Sequence, residues 1–297
     1  MRRGSEEGFT LFELMVSTGA LLAVLSGALY FFARSQTVYS NERATLEMVQ
    51  DLRTVFDRFT NEIRMAGAGL PGYRGVISGT ANTLIVRGDF SEITTLVTST
   101  GAVSGGTFPV GTTKGFVVGQ TISLLDTDGP SAGASGLAVV SAVNSTNNTI
   151  SIDNSSFLPI TAGAQVGNFG PGCIINVVER RTYSIVTSGN DKGAITRTVT
   201  YEDTQNPGAV IRAKEIIANN VLDQDDNVGL TFTYYQADGS LCEVDESGFV
   251  IASQVAKVQI TLNARTAQRD LESGRYRTLN LRALIQVRGQ YIPRVGF

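Results

Sequence analysis

The chain has 297 residues, 42% of them hydrophobic, and a formal net charge of −3, enough to bury a sizeable core and too near neutral to draw nucleic acid or a membrane surface by bulk charge. Histidine is absent, which excludes Ser-His-Asp triads, imidazole-ligated zinc and histidine pH switches. With 32 glycines and 7 prolines, and many serines and threonines, most of the chain is predicted to form short strands and turns.

From Phe9 to Ala33 the chain runs 25 residues with Glu13 as its only charge, and about 20 apolar residues span a bilayer as a helix. A cleaved secretory signal has an apolar core of roughly 7–15 residues followed by a small-residue cut site; this core is longer and holds an acid. A carboxylate inside a span costs a few kcal/mol or more, so such acids usually face a protein partner. Arg2 and Arg3 precede the span and Arg34 and Arg43 follow it, so counting positive charges does not orient it.

The segment Glu7-Gly8-Phe9-Thr10-Leu11-Phe12-Glu13-Leu14-Met15-Val16-Ser17 resembles the class III signal of type IV prepilins and type II secretion pseudopilins. That signal is a short basic leader ending in Gly, then Phe at the first mature position and Glu at the fifth. The resemblance implies that a prepilin peptidase cuts between Gly8 and Phe9 and methylates the new amine of Phe9. It also implies that Glu13 pairs with the N-terminal amine of a neighbouring subunit during assembly. An ammonium meeting a carboxylate in low dielectric removes the charge that would otherwise resist burial.

Beyond the span, apolar side chains recur at Leu46, Val49, Leu52, Phe56, Phe59, Ile63 and Ala66, the spacing of one helical face. Arg43, Glu47, Asp51, Asp57, Arg58 and Glu62 fall mostly between them and are expected on the wet side. No proline interrupts Phe9 to Ala66, so one continuous helix is predicted, its first half in lipid and its second on a sheet, ending at Gly67. The phrase Asn61-Glu62-Ile63-Arg64-Met65-Ala66-Gly67-Ala68-Gly69 resembles the helix end of minor pilins of the PilW kind. Gly67-x-Gly69-x-x-Gly72 also spells a dinucleotide fingerprint, but it closes a helix where that motif must open one.

One or two strands are predicted next between Val76 and Val97, with Thr83 to Arg87 the clearest. Residues 98–172 are rich in Gly, Ser and Thr and hold four strand-length runs: Gly115 to Val118, Thr121 to Leu125, Leu137 to Val143 and Thr149 to Ile152. They read as an inserted β subdomain. Alternation resumes at Arg181 to Ile185, Thr196 to Tyr201, Leu230 to Tyr234, Ala256 to Leu262 and Leu279 to Val287, as an antiparallel sheet requires. The expected class is therefore α+β: a long N-terminal helix, transmembrane in its first half, on an antiparallel sheet with a β insertion. Its segments are a leader (1–8), a span or filament-core helix (9–33), an amphipathic half-helix (34–66), a loop and first strands (67–97), the insertion (98–172) and a β head (173–297). Ile216 to Val221 leading into Phe232 to Gly239, and Tyr276 to Arg282, again resemble minor pilins.

Candidate sites outside the N-terminus are few. Cys173 and Cys242 are too few for a disulfide framework; an exported location would let them pair, closing a loop of about 70 residues for roughly 4 kcal/mol, and two separate buried thiols are the other reading. Asp223, Asp225, Asp226 and Asn227 offer hard oxygen ligands suited to calcium, without EF-hand spacing, and a solvated turn is the favoured reading. Arg275, Arg277 and Arg282 lie in an arginine-rich end that fits a polyanion contact such as DNA or the solvent face of edge strands. Gly129-Pro130-Ser131-Ala132-Gly133 spells a nucleophile elbow but lacks a histidine base. No catalytic constellation and no cofactor is expected.

The resemblance implies a minor pilin that primes or caps a type IV pilus, working with other minor and major pilins, the prepilin peptidase and an inner-membrane assembly platform. It would sit in the inner membrane with its head outside the cytoplasm, then in the pilus at its tip. A type II secretion pseudopilin of the J class and a membrane-anchored adhesin or DNA-binding module are the alternatives.

Overall fold

The structure is a computed structural model and describes residues 10–70, 74–99, 106–126, 134–160, 164–166, 169–187, 189, 192–201, 210–219, 221 and 229–287. Among the described residues one helix, α1 (Leu11–Met65), precedes thirteen strands. These are β1 (Val76–Gly79), β2 (Thr83–Gly88), β3 (Thr94–Leu96), β4 (Thr107–Pro109), β5 (Thr121–Leu125), β6 (Ser135–Asn144), β7 (Thr149–Pro159), β8 (Ile174–Ile185), β9 (Ile195–Tyr201), β10 (Val210–Ala218), β11 (Leu230–Tyr235), β12 (Lys257–Arg265) and β13 (Thr278–Gln286). The class is α+β, a long apolar helix with antiparallel sheets. The chain divides into two compact units, Met1–Gln50 with Thr266–Arg277, and Asp51–Arg265 with Thr278–Phe297.

In the second unit β8 is the spine. Its first half pairs with β3 and β5, its second with β2 and β9. The inserted strands extend outward in the order β5-β6-β7-β4, while β1 and β10 flank β2 and β9. The insertion has its own core, with Phe108, Phe116, Ile122, Leu124, Ile150 and Phe169 among its buried residues, and that core takes in Cys173, Ile175 and Val177 from the start of β8. The boundary expected at residue 173 therefore passes through shared packing. A second sheet, β11-β12-β13, centres on β12, whose strict alternation of buried and half-buried positions matches the predicted period of two.

The run Gly115 to Val118 is a turn and not the strand expected from its apolar content. Gly115 and Gly119 take positive φ angles of 89° and 86°, which β-branched neighbours do not adopt. The Gln120 side chain closes the turn, accepting from Val117 N at 2.8 Å and donating to Gly115 O at 3.2 Å.

The last turns of α1 lie on the sheet. Leu52, Val55, Phe59, Ile63 and Ala66 are buried, and Phe59 stacks at 4.7 Å on Tyr183 of β8 and meets Phe232 of β11 edge-on. This stripe corrects two expectations: Leu46 is 61% exposed, and Glu62 is buried at 8%. At the helix end Gly67 N donates to Arg87 O of β2 at 2.8 Å. The approach is close enough that a side chain on Gly88 would sit 2.9 Å from Met65 O, which is why the strand carries glycine there.

Candidate functional site

The feature most exposed to partners is the first part of α1. Leu11, Phe12, Met15, Leu21, Leu22, Val24, Leu29, Phe31 and Phe32 are each at least 60% exposed, and an apolar window with mean hydropathy 1.8 has none of its residues buried. The helix is long and apolar enough to cross a membrane. Three of its hydroxyls are satisfied by the helix itself: Thr18 donates to Leu14 O and Met15 O, Ser26 to Ala23 O and Thr37 to Ala33 O.

Glu13 sits in the first turn. Thr10 Oγ1 accepts from Glu13 N at 3.2 Å, and the Glu13 carboxylate accepts from Thr10 Oγ1 at 3.3 Å and Thr10 N at 3.5 Å. This is a capping box, Thr-x-x-Glu, satisfying backbone donors that a helix start otherwise leaves open; a carboxylate there also meets the positive end of the helix dipole. The spelling was present in the sequence, where the acid was weighed only as a charge in need of a cation. Gly8 and Phe9 lie outside the described residues.

The second constellation is a buried ion cluster that sequence reasoning did not find. Glu62 of α1 meets Arg181 of β8 at 2.7 Å and Arg197 of β9 at 3.2 Å. Arg181 also pairs with Glu179 at 2.8 Å, and Arg197 with Glu215 of β10 at 2.8 Å. Arg58 closes the ring, 3.3 Å from Glu62 and 2.6 Å from Glu215, while the Arg181 guanidinium stacks 4.2 Å over Phe90. Three cations against three carboxylates leave no net charge, and the Glu62, Arg181 and Arg197 side chains are each about a tenth exposed. The cluster moors the end of α1 to the sheet.

Beside the helix end, burial pushes the Asp89 carboxyl up to about 6, with Glu179 and Glu92 adding repulsion and the amides of Glu92 and Ile93 opposing. One of its oxygens, Oδ1, is buried without a hydrogen-bond partner.

Among the described residues, the remaining sequence-derived sites are not brought together. Cys173 and Cys242 are both free thiols, the second of the two readings. Cys173 is buried in the insertion core, which pushes its thiol up to about 12, and Cys242 is half-buried beyond β11, its amide donating to Tyr234 O. Asp223, Asp225, Asp226 and Asn227 lie outside the described residues. Among the described residues no group of three or more Cys, Asp or Glu is placed to hold a metal ion. Arg277 is taken up by Asp270, at 3.0 and 2.8 Å. Arg275 lies on the same connection and Arg282 on β13, both exposed. The Ser131 segment lies outside the described residues, and the element after it is β6 rather than the helix an elbow requires.

Comparison with protein-family models, with curated proteins and with solved structures finds no match to this chain.

Proposed function

We propose that this chain is a minor pilin that primes or caps the assembly of a type IV pilus. The observation that carries the reading is a membrane-length apolar stretch of helix with none of its residues buried. It opens on a carboxylate one turn from the Gly8-Phe9 junction and continues as the same helix into a segment moored to a β head. Before assembly the helix holds the subunit in the inner membrane with the head outside the cytoplasm. In the fibre it exchanges lipid for the helices of neighbouring pilins. Each buried side chain then keeps the roughly 1.5 kcal/mol or more that exposure to water would cost.

Glu13 acts as the register check. Its oxygens are already held toward the helix start by Thr10, so a neighbour's methylated Phe9 amine arriving there meets an oriented acceptor. A neighbour out of register leaves the acid without a cation in an apolar bundle, at a cost of several kcal/mol. The insertion, with a core of its own, is mass that a repeating lattice would have to accommodate in every subunit. This supports a low-copy place at the tip and favours the pilus machine over a J-class pseudopilin. The work is assembly, and no catalysis is assigned.

The test is genetic. Deleting the gene should remove or sharply reduce surface fibres, wild type should restore them, and Glu13→Val should not. An unchanged fibre count in the deletion strain contradicts the proposal.

A further inference from the structure

We propose that the open edge of β13 is a docking strand, which takes an acidic extended segment from the head of a neighbouring subunit as the next strand of its sheet. The inference rests on the pilin reading and names the surface by which the head meets a partner.

Strands β11, β12 and β13 pair in that order, and β13 is the last of them. Thr266 N donates to Arg277 O at 2.9 Å and Val287 N to Ala256 O at 3.1 Å, which fixes the phase of the ladder. Odd-numbered residues of β13 exchange hydrogen bonds with β12, and even-numbered ones point their amides and carbonyls the other way. Those outward groups, on Thr278, Asn280, Arg282, Leu284 and Gln286, bond to no other described residue.

An open edge recruits further strands, so proteins blunt it with short length, bulges, proline or lysine, or cover it. The other edges among the described residues are managed in these ways. β1 has four residues and an interrupted register, β4 has three and ends in Pro109, and β10 loses register twice. The far side of β11 is tied to the connection between β1 and β2, where Phe232 N donates to Ala81 O at 2.7 Å. β13 instead runs nine residues in unbroken register with β12 and holds neither proline nor lysine. An edge kept open where its neighbours are blunted is one that a partner covers.

The side chains say what covers it. On the inner face Val258, Ile260, Leu262 and Ala264 of β12 are at most 2% exposed, while their β13 neighbours Leu279, Leu281 and Ala283 are only half-buried. The apolar row lacks its next member. On the outer face β12 and β13 carry Lys257, Arg265 and Arg282 and no carboxylate. Lys257 donates to Ala237 O at 3.4 Å; Arg282, exposed midway along the edge, meets no carboxylate among the described residues. The segment that fits sets apolar side chains beside Leu281 and Ala283 and an Asp or Glu directly opposite Arg282, a stabilising cross-strand pair. A second copy of β13 fits poorly, because full antiparallel overlap places Arg282 against Arg282.

The test reads hydrogen exchange at single amides of the full chain in detergent, with two capped peptides of alternating threonine and valine that carry glutamate or lysine at the centre. In the free chain the amides of Asn280, Arg282 and Leu284 should exchange at least about tenfold faster than those of Leu281 and Ala283, and the glutamate peptide should slow the first set. Arg282→Glu should weaken that peptide by about fivefold or more and favour the lysine peptide. Slow exchange at all five amides of the free chain, from its own segments or a second copy, would overturn the docking strand. So would a glutamate peptide that protects none of them or binds no better than the lysine peptide. In cells, Leu284→Pro removes one outward amide and spares the β12 ladder, and Arg282→Glu reverses the charge; both should cut fibre number as the gene deletion does. Wild-type fibres from both variants, in a strain where the deletion removes them, would overturn this inference and leave the pilin reading standing. A deletion without effect would overturn that reading instead.

Discussion

Replacing Glu62 by glutamine removes the carboxylate shared by Arg58, Arg181 and Arg197 while leaving its volume almost unchanged. Breaking one partner of a buried ion pair costs about 3–5 kcal/mol because the other charge stays buried without compensation. Here the loss is partly cushioned, since Arg181 keeps Glu179 at 2.8 Å and Arg197 keeps Glu215 at 2.8 Å, and the expected cost is about 2–4 kcal/mol. For a unit of this size one kcal/mol moves the melting midpoint by about 2–4 °C, so Glu62→Gln should lower it by roughly 5–15 °C. The assay is near-ultraviolet circular dichroism of the full chain in detergent, with Asp57→Asn on the exposed side of the same helix as control; that change should move the midpoint by less than about 2 °C. A second arm raises the salt concentration, which screens exposed pairs far more than buried ones. Equal midpoints for Glu62→Gln and Asp57→Asn, or a loss that vanishes at high salt, would refute the mooring role of the cluster.

Three further outcomes follow from other residues. The folded state holds the Asp89 proton up to about pH 6, while the unfolded chain loses it near pH 4. The contribution of Asp89 to stability is therefore fully present below pH 4 and lost as pH rises through 6, by about 1 kcal/mol after allowance for solvent screening. Asp89→Asn should flatten that slope in urea titrations, and an unchanged slope would count against the burial argument. Gly79→Ala places a methyl against the Tyr234 ring, whose hydroxyl is fixed 3.0 Å from Thr80 O and 2.9 Å from Thr83 O. The cost should be about 1–3 kcal/mol, and a neutral result would mean that this packing yields freely. Glu13→Val should leave membrane fractionation intact while abolishing crosslinks to neighbouring pilins; crosslinks at wild-type yield would remove Glu13 from the assembly step.

The helix was legible because its signals agree: no proline, a run of membrane length, then a face at helical spacing. Its observed limits, Leu11–Met65, fall just inside the expected ones. The strands β5 to β9 and β11 to β13 were legible from runs of strand length between turn residues, although β8 runs seven residues further toward the N-terminus than its alternating core suggested and β10 was not among those expected. What stayed hidden depends on distance along the chain. Glu62 reads as a wet-side residue because periodicity assigns every charge to solvent, and its Arg197 partner lies 135 residues away. The short strands β3 and β4 carry too few residues to show a period and exist through their pairing with β8 and β7. Gly115 to Val118 has strand-like letters, but two glycines in the left-handed region turn the chain there. The capping box at Thr10 and Glu13 was spelled out and was overlooked beside the charge it contains.

The account stands or falls at the Gly8-Phe9 junction. Its most direct test is the N-terminal mass of the protein purified from cells with and without their prepilin peptidase. A chain beginning at methylated Phe9, formed only when the peptidase is present, is the predicted result. An intact Met1 in both strains, or a cut beyond Ala33, would contradict the pilin reading.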